Sequence, residues 1–351
     1  GVFRRTIGWV RAVDGVTLTV EEGEVLAVVG ESGCAKSTLG NSILGLTLPT
    51  DGRIRLEGKE IDIKRHSSWK PFRSDFQIIF QDPYSSLNPR HTIFEILSEP
   101  MRIHGLCNSS NARQKVAELL DLVGLPEDAM DRFPHAFSGG QRQRIGIARA
   151  VGLRPKLIVC DEVTSALDVS VQAQIIQLLL RLKKELGLSL LFITHDLSLV
   201  RNMSDRVCVM YGGRVMEIAP TEQLFRNPAH PYTAALMQAI PTLDRNKRPL
   251  LLGGEVPSPS KLPSGCAFHP RCPKAQSDCS ESTPPLSILG SNAVAMASGT
   301  PSAQPDREDA ATGDSAVVSG GDSGDESMSQ RGGGGNSRKT RYVACFYPEK
   351  T

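Results

Sequence analysis

No apolar run in this 351-residue chain reaches the roughly 18–20 residues that a membrane-spanning helix needs. If the chain works at a membrane, it does so by docking onto something else. Excess charge is scarce too: 40 Lys and Arg against 38 Asp and Glu leave a formal net charge of +2. That balance gives no electrostatic reason to expect nucleic acid as a partner. No secretory signal is visible. The chain opens on Gly1 rather than Met, which leaves room for residues upstream of it. What remains is ordinary globular material, 40% hydrophobic and 22% charged, enough for one large domain with an appendage or two modest ones. Of the eight cysteines, Cys34, Cys107, Cys160 and Cys208 are scattered, while Cys266, Cys272, Cys279 and Cys345 are confined to the C-terminal region.

Strands and helices alternate through the first 225 residues. Val16–Val20 and Glu24–Val29 read as strands parted by the turn Glu22-Gly23. Ser37–Leu46 reads as a helix, Leu157–Cys160 as a buried parallel strand and Leu188–Ile193 as another. In Val171–Leu186, Val171, Ile175, Leu178, Leu179, Leu182 and Leu186 fall on one helical face, and Gly187 supplies the stop. Such alternation predicts an α/β domain with a mostly parallel sheet over residues 1–225. Prolines then become frequent, and 226–286 reads as an accessory region carrying three cysteines. Residues 287–340, rich in Ser, Gly, Ala and Asp, bury too little apolar surface to offset the entropy of ordering and read as a disordered insert. The segment 341–351 returns Cys345 to order.

Three motifs carry chemistry. Gly30-Glu31-Ser32-Gly33-Cys34-Ala35-Lys36-Ser37-Thr38 follows a strand and opens a helix. Backbone N–H groups and a helix N-terminus there suit a triphosphate, Lys36 suits the β/γ oxygens, and the Ser37 hydroxyl suits Mg²⁺. Ala35 stands where the consensus has glycine, and its methyl group is expected to weaken close approach to phosphate. A Gly-rich turn without a ligand is the plainer alternative. Next, the apolar strand Leu157–Cys160 ends in Asp161 and Glu162. Asp161 is placed to hold Mg²⁺ and Glu162 to act as general base on the attacking water. Finally, Ser138-Gly139-Gly140-Gln141 offers a helix N-cap and two glycines, making a second anion-binding helix start.

With these motifs in this order, the chain resembles the ATP-binding cassette (ABC) family. The resemblance implies an ABC-type P-loop NTPase domain with helical and antiparallel β subdomains, followed by a small irregular cysteine-containing region. It also implies that Ser138–Gln141 is the signature loop, which closes on the ATP of a second ABC ATPase subunit, identical or paralogous. Gln81 resembles the loop glutamine that senses Mg²⁺ and the membrane subunit, and Asp168, in Ser165-Ala-Leu-Asp168, resembles the dimer-contact loop. His195, after an apolar strand and before Asp196, resembles the switch histidine at the γ-phosphate. The family stacks adenine on an upstream aromatic, for which Phe3 and Trp9 are the candidates.

Two further stretches, Phe80–Pro89 and Asn227–Met237, resemble the peptide-import branch. That resemblance implies an ATPase powering uptake of di- or oligopeptides, with nickel or glutathione as alternative cargo. Its partners would be two transmembrane permease subunits and, indirectly, an extracytoplasmic peptide-binding protein. Its place would be peripheral, on the cytoplasmic face of the membrane. Cys266, Cys272 and Cys279 stand in a C-x5-C-x6-C spacing with Cys345 distant. Four thiolates suit zinc or an iron–sulfur cluster, and the spacing departs from the usual zinc pattern. The branch implies a [4Fe–4S] cluster there, with His269 as an alternative ligand. Competing readings are a non-transport ABC ATPase and a weakly active, redox-sensing subunit, the second favoured by Ala35.

Overall fold

In the computed structural model of the chain, the structure describes residues 10–240, 253–254, 257–258, 260–289, 315–319 and 340–348. Phe3 and Trp9 lie outside the described residues. The chain begins with β1 (Thr17–Glu21), β2 (Val25–Val29), α1 (Lys36–Ile43), β3 (Arg53–Leu56), β4 (Lys59–Ile61) and β5 (Phe76–Ile79). There follow α2 (Ile93–Ile103), α3 (Ala112–Leu122), α4 (Gly139–Val151), β6 (Leu157–Asp161), α5 (Val169–Leu186), β7 (Ser189–Ile193) and α6 (Leu197–Met203). The rest comprises β8 (Arg206–Tyr211), β9 (Arg214–Pro220), α7 (Thr221–Arg226), α8 (Pro231–Gln238), α9 (Ser277–Glu281), β10 (Ser287–Ile288), β11 (Ser315–Ser319) and β12 (Tyr342–Val343).

The main sheet runs β10-β12-β9-β8-β2-β7-β6-β5, and its centre from β8 to β5 is parallel. Every residue of β2 and β7 is buried, as expected for strands covered on both faces. A smaller antiparallel sheet, β1-β11-β3-β4, forms the second β layer. A helical layer, α2 to α4, packs its apolar residues with those of α5 in one core cluster.

Most elements match the sequence reading, and three differences have clear causes. α1 stops at Ile43 rather than Leu46 because Gly45 takes φ 65 and its Cα lies against Trp69, where a Cβ would come within 2.2 Å of the ring. Leu46 is left 47% exposed. At the far end of α5, Leu186 drops off the buried face and is 39% exposed as Gly187 turns left-handed at φ 68. Within the segment read as a disordered insert, Ser287–Ile288 and Ser315–Ser319 are strands, the second pairing between β1 and β3. It contains the β-branched pair Val317-Val318. The remainder of that insert lies outside the described residues.

Candidate active site

The phosphate loop is built around positions where side chains do not fit. A Cβ on Gly30 would fall 2.2 Å from the Met210 carbonyl oxygen, so only glycine passes between β2 and β8. Lys36 is 5% exposed, and its Nζ donates to the carbonyls of Gly30 (2.8 Å) and Glu31 (3.1 Å). Ala35 sits at φ 72, ψ 25, in the left-handed region. The consensus glycine therefore has a backbone reason here, beyond the phosphate approach expected from sequence. Ser32 and Gly33 are exposed, Cys34 is buried and Thr38 is half-buried. Burial pushes the Cys34 thiol up despite the neighbouring Lys36, which makes it a poor redox sensor.

Three separate loops meet at this one. Ser37 Oγ donates to Asp161 Oδ1 at 2.8 Å. Gln81 Nε2 donates to Glu162 Oε2 at 3.0 Å, and His195 Nδ1 lies 3.3 Å from Glu162 Oε1. Glu162 itself is held at φ 47. Burial raises the Asp161 carboxyl above its usual range, the Ser37 hydrogen bond opposes this, and the Glu162 charge adds to the rise. The Ser37 hydroxyl, the Asp161 carboxylate and the nearby Gln81 amide offer the hard oxygen donors that Mg²⁺ prefers. Ser37, Gln81, Asp161, Glu162 and His195 thus lie within one cluster at the C-terminal end of the parallel strands.

Ser138–Gln141 lies elsewhere. Ser138 caps α4 through a reciprocal box: Gln141 N–H donates to Ser138 Oγ at 3.3 Å, and Ser138 N–H donates to Gln141 Oε1 at 3.0 Å. Its neighbours come from α5, the loop before it and Tyr84. A Cβ on Gly140 would lie 2.5 Å from Val171 Cγ1, and one on Gly139 would lie 3.6 Å from Leu167, in the Ser165–Asp168 loop. Asp168 precedes α5, and Gln172 Nε2 donates to the carbonyls of Thr164 and Leu167, both at 2.9 Å, bracing that loop. The Gln81 segment is tied to α4 as well: the Arg142 guanidinium lies 4.1 Å from the Tyr84 ring centre, and Arg149 donates to the Ser86 carbonyl at 2.7 Å. Those ties were absent from the sequence reading, which quoted Tyr84 only as part of a longer run.

The four C-terminal cysteines converge. Cys266, Cys272, Cys279 and Cys345 line one cavity with His230 and His269. Antiparallel pairing of β12 with β9 brings Cys345 there, and Arg341 anchors the segment on the buried Glu217 at 2.7 Å. Burial raises the Cys266 thiol and lifts Cys345 to about 12, and the neighbouring thiols push both further the same way. Four thiolates packed so closely require a cation to offset their repulsion. The cavity holds only about 10 Å³, near the space of one water. Among the described residues no group of three or more His, Cys, Asp or Glu side chains is arranged to hold a metal ion. The donor set expected for a [4Fe–4S] cluster is gathered, while the arrangement of a cluster site is not. His269 lines the same cavity, and its Nδ1 lies 2.9 Å from the Cys266 carbonyl oxygen, which leaves Nε2 as the nitrogen available to a ligand.

A phosphate loop, a strand ending in Asp-Glu, a histidine against that Glu and a capped Ser-Gly-Gly-Gln helix on this two-sheet frame define an ATP-binding cassette. The chain matches the ABC transporter family over residues 13–165 and the oligopeptide/dipeptide transporter C-terminal region over residues 216–279. It is 52% identical over 281 residues to the oligopeptide transport ATP-binding protein OppF of Salmonella typhimurium, covering 79% of this chain and 84% of the relative. It is 54% identical over 282 residues to the putative oligopeptide transport ATP-binding protein YkfD of Bacillus subtilis, covering 79% and 86%. A dimeric post-hydrolysis structure of the cassette MJ0796 bound to ADP and Pi is similar at TM-score 0.56 and 29% identity, covering 62% of this chain and 94% of that one. The chain belongs to the ATP-hydrolysing subunits of ABC transporters, in the branch that carries the oligopeptide/dipeptide C-terminal region.

Proposed function

We propose that this ATPase powers import of di- or oligopeptides, working at the cytoplasmic face of a membrane through two permease subunits. The names of the relatives and the matched C-terminal region support the cargo. No helix among the described residues is long and apolar enough to cross a membrane, so on this reading the passage belongs to the partners. The observation that carries the enzymatic part is the joint contact of Gln81 and His195 with the Glu162 carboxylate, beside Asp161 and Ser37.

Lys36 and the N–H groups of Gly30–Thr38 bind the triphosphate. Ser37, Gln81 and Asp161 would hold Mg²⁺, which would supply charge neutralisation for the phosphates. Glu162 accepts a proton from the attacking water, and His195 orients toward the γ-phosphate. Ser138, Gly139, Gly140 and Gln141 of a second cassette close over the nucleotide, with Asp168 at the contact between the two. Most of the rate comes from positioning and charge stabilisation rather than covalent chemistry. Glu162→Gln should retain ATP binding and lose nearly all turnover, and cells relying on it should stop taking up labelled oligopeptides. Unchanged hydrolysis would remove Glu162 as the base. Normal hydrolysis without any uptake defect in a strain lacking the chain would remove peptides as the cargo.

Cys266, Cys272, Cys279 and Cys345 are proposed to hold a [4Fe–4S] cluster, supported by the return of Cys345, 66 positions beyond Cys279, to the cavity that the other three line. Protein purified without oxygen should show iron and a broad visible absorbance, both lost in Cys272→Ser. Iron-free anaerobic protein would exclude the cluster.

A further inference from the structure

The phosphate loop carries a charge that works against its own ligand. Glu31 is its second residue, and a carboxylate beside a triphosphate lowers the local potential where an anion must bind. The answer comes from a segment 240 positions away. Arg271 grips the Glu31 carboxylate fork to fork, Nη1 to Oε2 at 2.7 Å and Nη2 to Oε1 at 3.1 Å. The same guanidinium donates to the Tyr211 hydroxyl at 3.2 Å and, through Nε, to the Gly253 carbonyl at 3.0 Å. Its side chain is 5% exposed and that of Glu31 23%, so solvent screens the pair weakly.

The backbone of Glu31 is held from the same side. Its N–H donates to the Tyr232 hydroxyl at 3.0 Å. Tyr232 is fully buried in an aromatic group with Tyr211 and Phe268, ring centres 4.7 and 5.2 Å away. Arg271 closes the short turn His269–Arg271 immediately before Cys272. The cysteine-bearing region therefore reaches the ATP site through two side chains, Arg271 on the Glu31 carboxylate and Tyr232 on its backbone.

We propose that Arg271 is a positioning residue for the ATP site: it neutralises Glu31 and holds that carboxylate away from the triphosphate, making ATP affinity depend on the cysteine-bearing region. This rests on the ATPase reading above. Arg271 acts through Glu31 and touches neither nucleotide nor the reacting atoms.

The test measures Mg-ATP binding and turnover in the full chain at low and high salt. Arg271→Met should weaken binding about tenfold at low salt, less at high salt, with kcat within about twofold of the parent. Arg271→Lys, which keeps the charge without the fork, should fall between the two. The Arg271→Met/Glu31→Gln double variant should return to within about twofold of parental affinity, because the unneutralised charge is gone. A merely structural arginine would show no such rescue. Glu31→Gln alone should bind ATP at least as tightly as the parent, and it carries the test if Arg271→Met does not fold. Parental affinity in Arg271→Met, no rescue in the double variant, or weaker binding in Glu31→Gln would each overturn the proposal. A parent chain that bound no ATP, or bound it equally well as Lys36→Ala, would instead overturn the ATPase reading itself.

Discussion

Ala35 is a non-glycine residue in a conformation that costs an L-residue roughly 1–2 kcal/mol. Its identity was plain from the sequence, and its departure from the consensus was plain too. The sign of φ was not, because it is imposed by the need to swing the chain from β2 over the phosphate loop into α1. Ala35→Gly should therefore stabilise the chain by about 1 kcal/mol, after allowing for the freer unfolded state. It should also tighten ATP binding; a denaturation midpoint and a nucleotide titration check the two parts. A lower midpoint would mean that the left-handed geometry costs nothing here. Glu162 is the other strained side chain in the site, at φ 47. Strain at a reacting group is a common feature of functional sites, and nothing in the residue type announces it.

At the scale of elements, legibility followed burial. β2, β6 and β7 were readable because strands covered on both faces are continuous apolar runs. The start of α4 was readable because Ser138 and Gln141 stand three apart, as a reciprocal cap requires. β12 was not. Two residues carry no period, and Tyr342–Val343 becomes a strand because it finds β9 as a partner and Arg341 finds Glu217. Glu217 is 0% exposed in mid-strand, a position that a sequence reader would assign to an apolar residue. Its carboxylate also accepts the N–H groups of Ala229 and His230, at 3.2 and 2.8 Å, so one buried charge joins β9, the loop before α8 and the tail. The end of α1 was misplaced, and Leu186 at the correctly read end of α5 was placed on the buried face, for the reverse reason. Leu46 and Leu186 are apolar, yet a left-handed glycine beside each ends the helix and turns the side chain outward.

At the scale of the whole molecule, the motif residues fall into two groups with different neighbours. Gln81, Asp161, Glu162 and His195 gather around Lys36 and Ser37, whereas the immediate neighbours of Ser138–Gln141 are Tyr84, Leu167 and Val171. On the proposed reading, a chain arranged this way completes its site against a second cassette, and two solved cassettes similar to it are dimeric. Val169, 82% exposed beside Asp168, lies at the edge where that second copy or paralogue is expected to close. Ser138→Arg should leave Mg-ATP binding to the phosphate loop intact and abolish turnover, because the altered loop serves the partner's nucleotide. Binding by fluorescence titration and hydrolysis by phosphate release separate the two effects. Normal turnover in that variant would show that the signature loop has no part in hydrolysis.

The sequence by itself determined the α/β class, the family and the identity of nearly every residue around the phosphate loop. Those features depend on local spacing, and the chemistry of phosphate, carboxylate and helix start imposes the spacing. The gathering of the four cysteines was expected from the family resemblance; tertiary structure alone decided that Arg341 and a two-residue strand bring Cys345 there, and that Arg271 closes on Glu31. The contacts of Cys345, Arg341 and Arg271 join residues 66 to 240 positions apart, and no local period or propensity encodes such a pairing until the sheet has formed and brought its edges together.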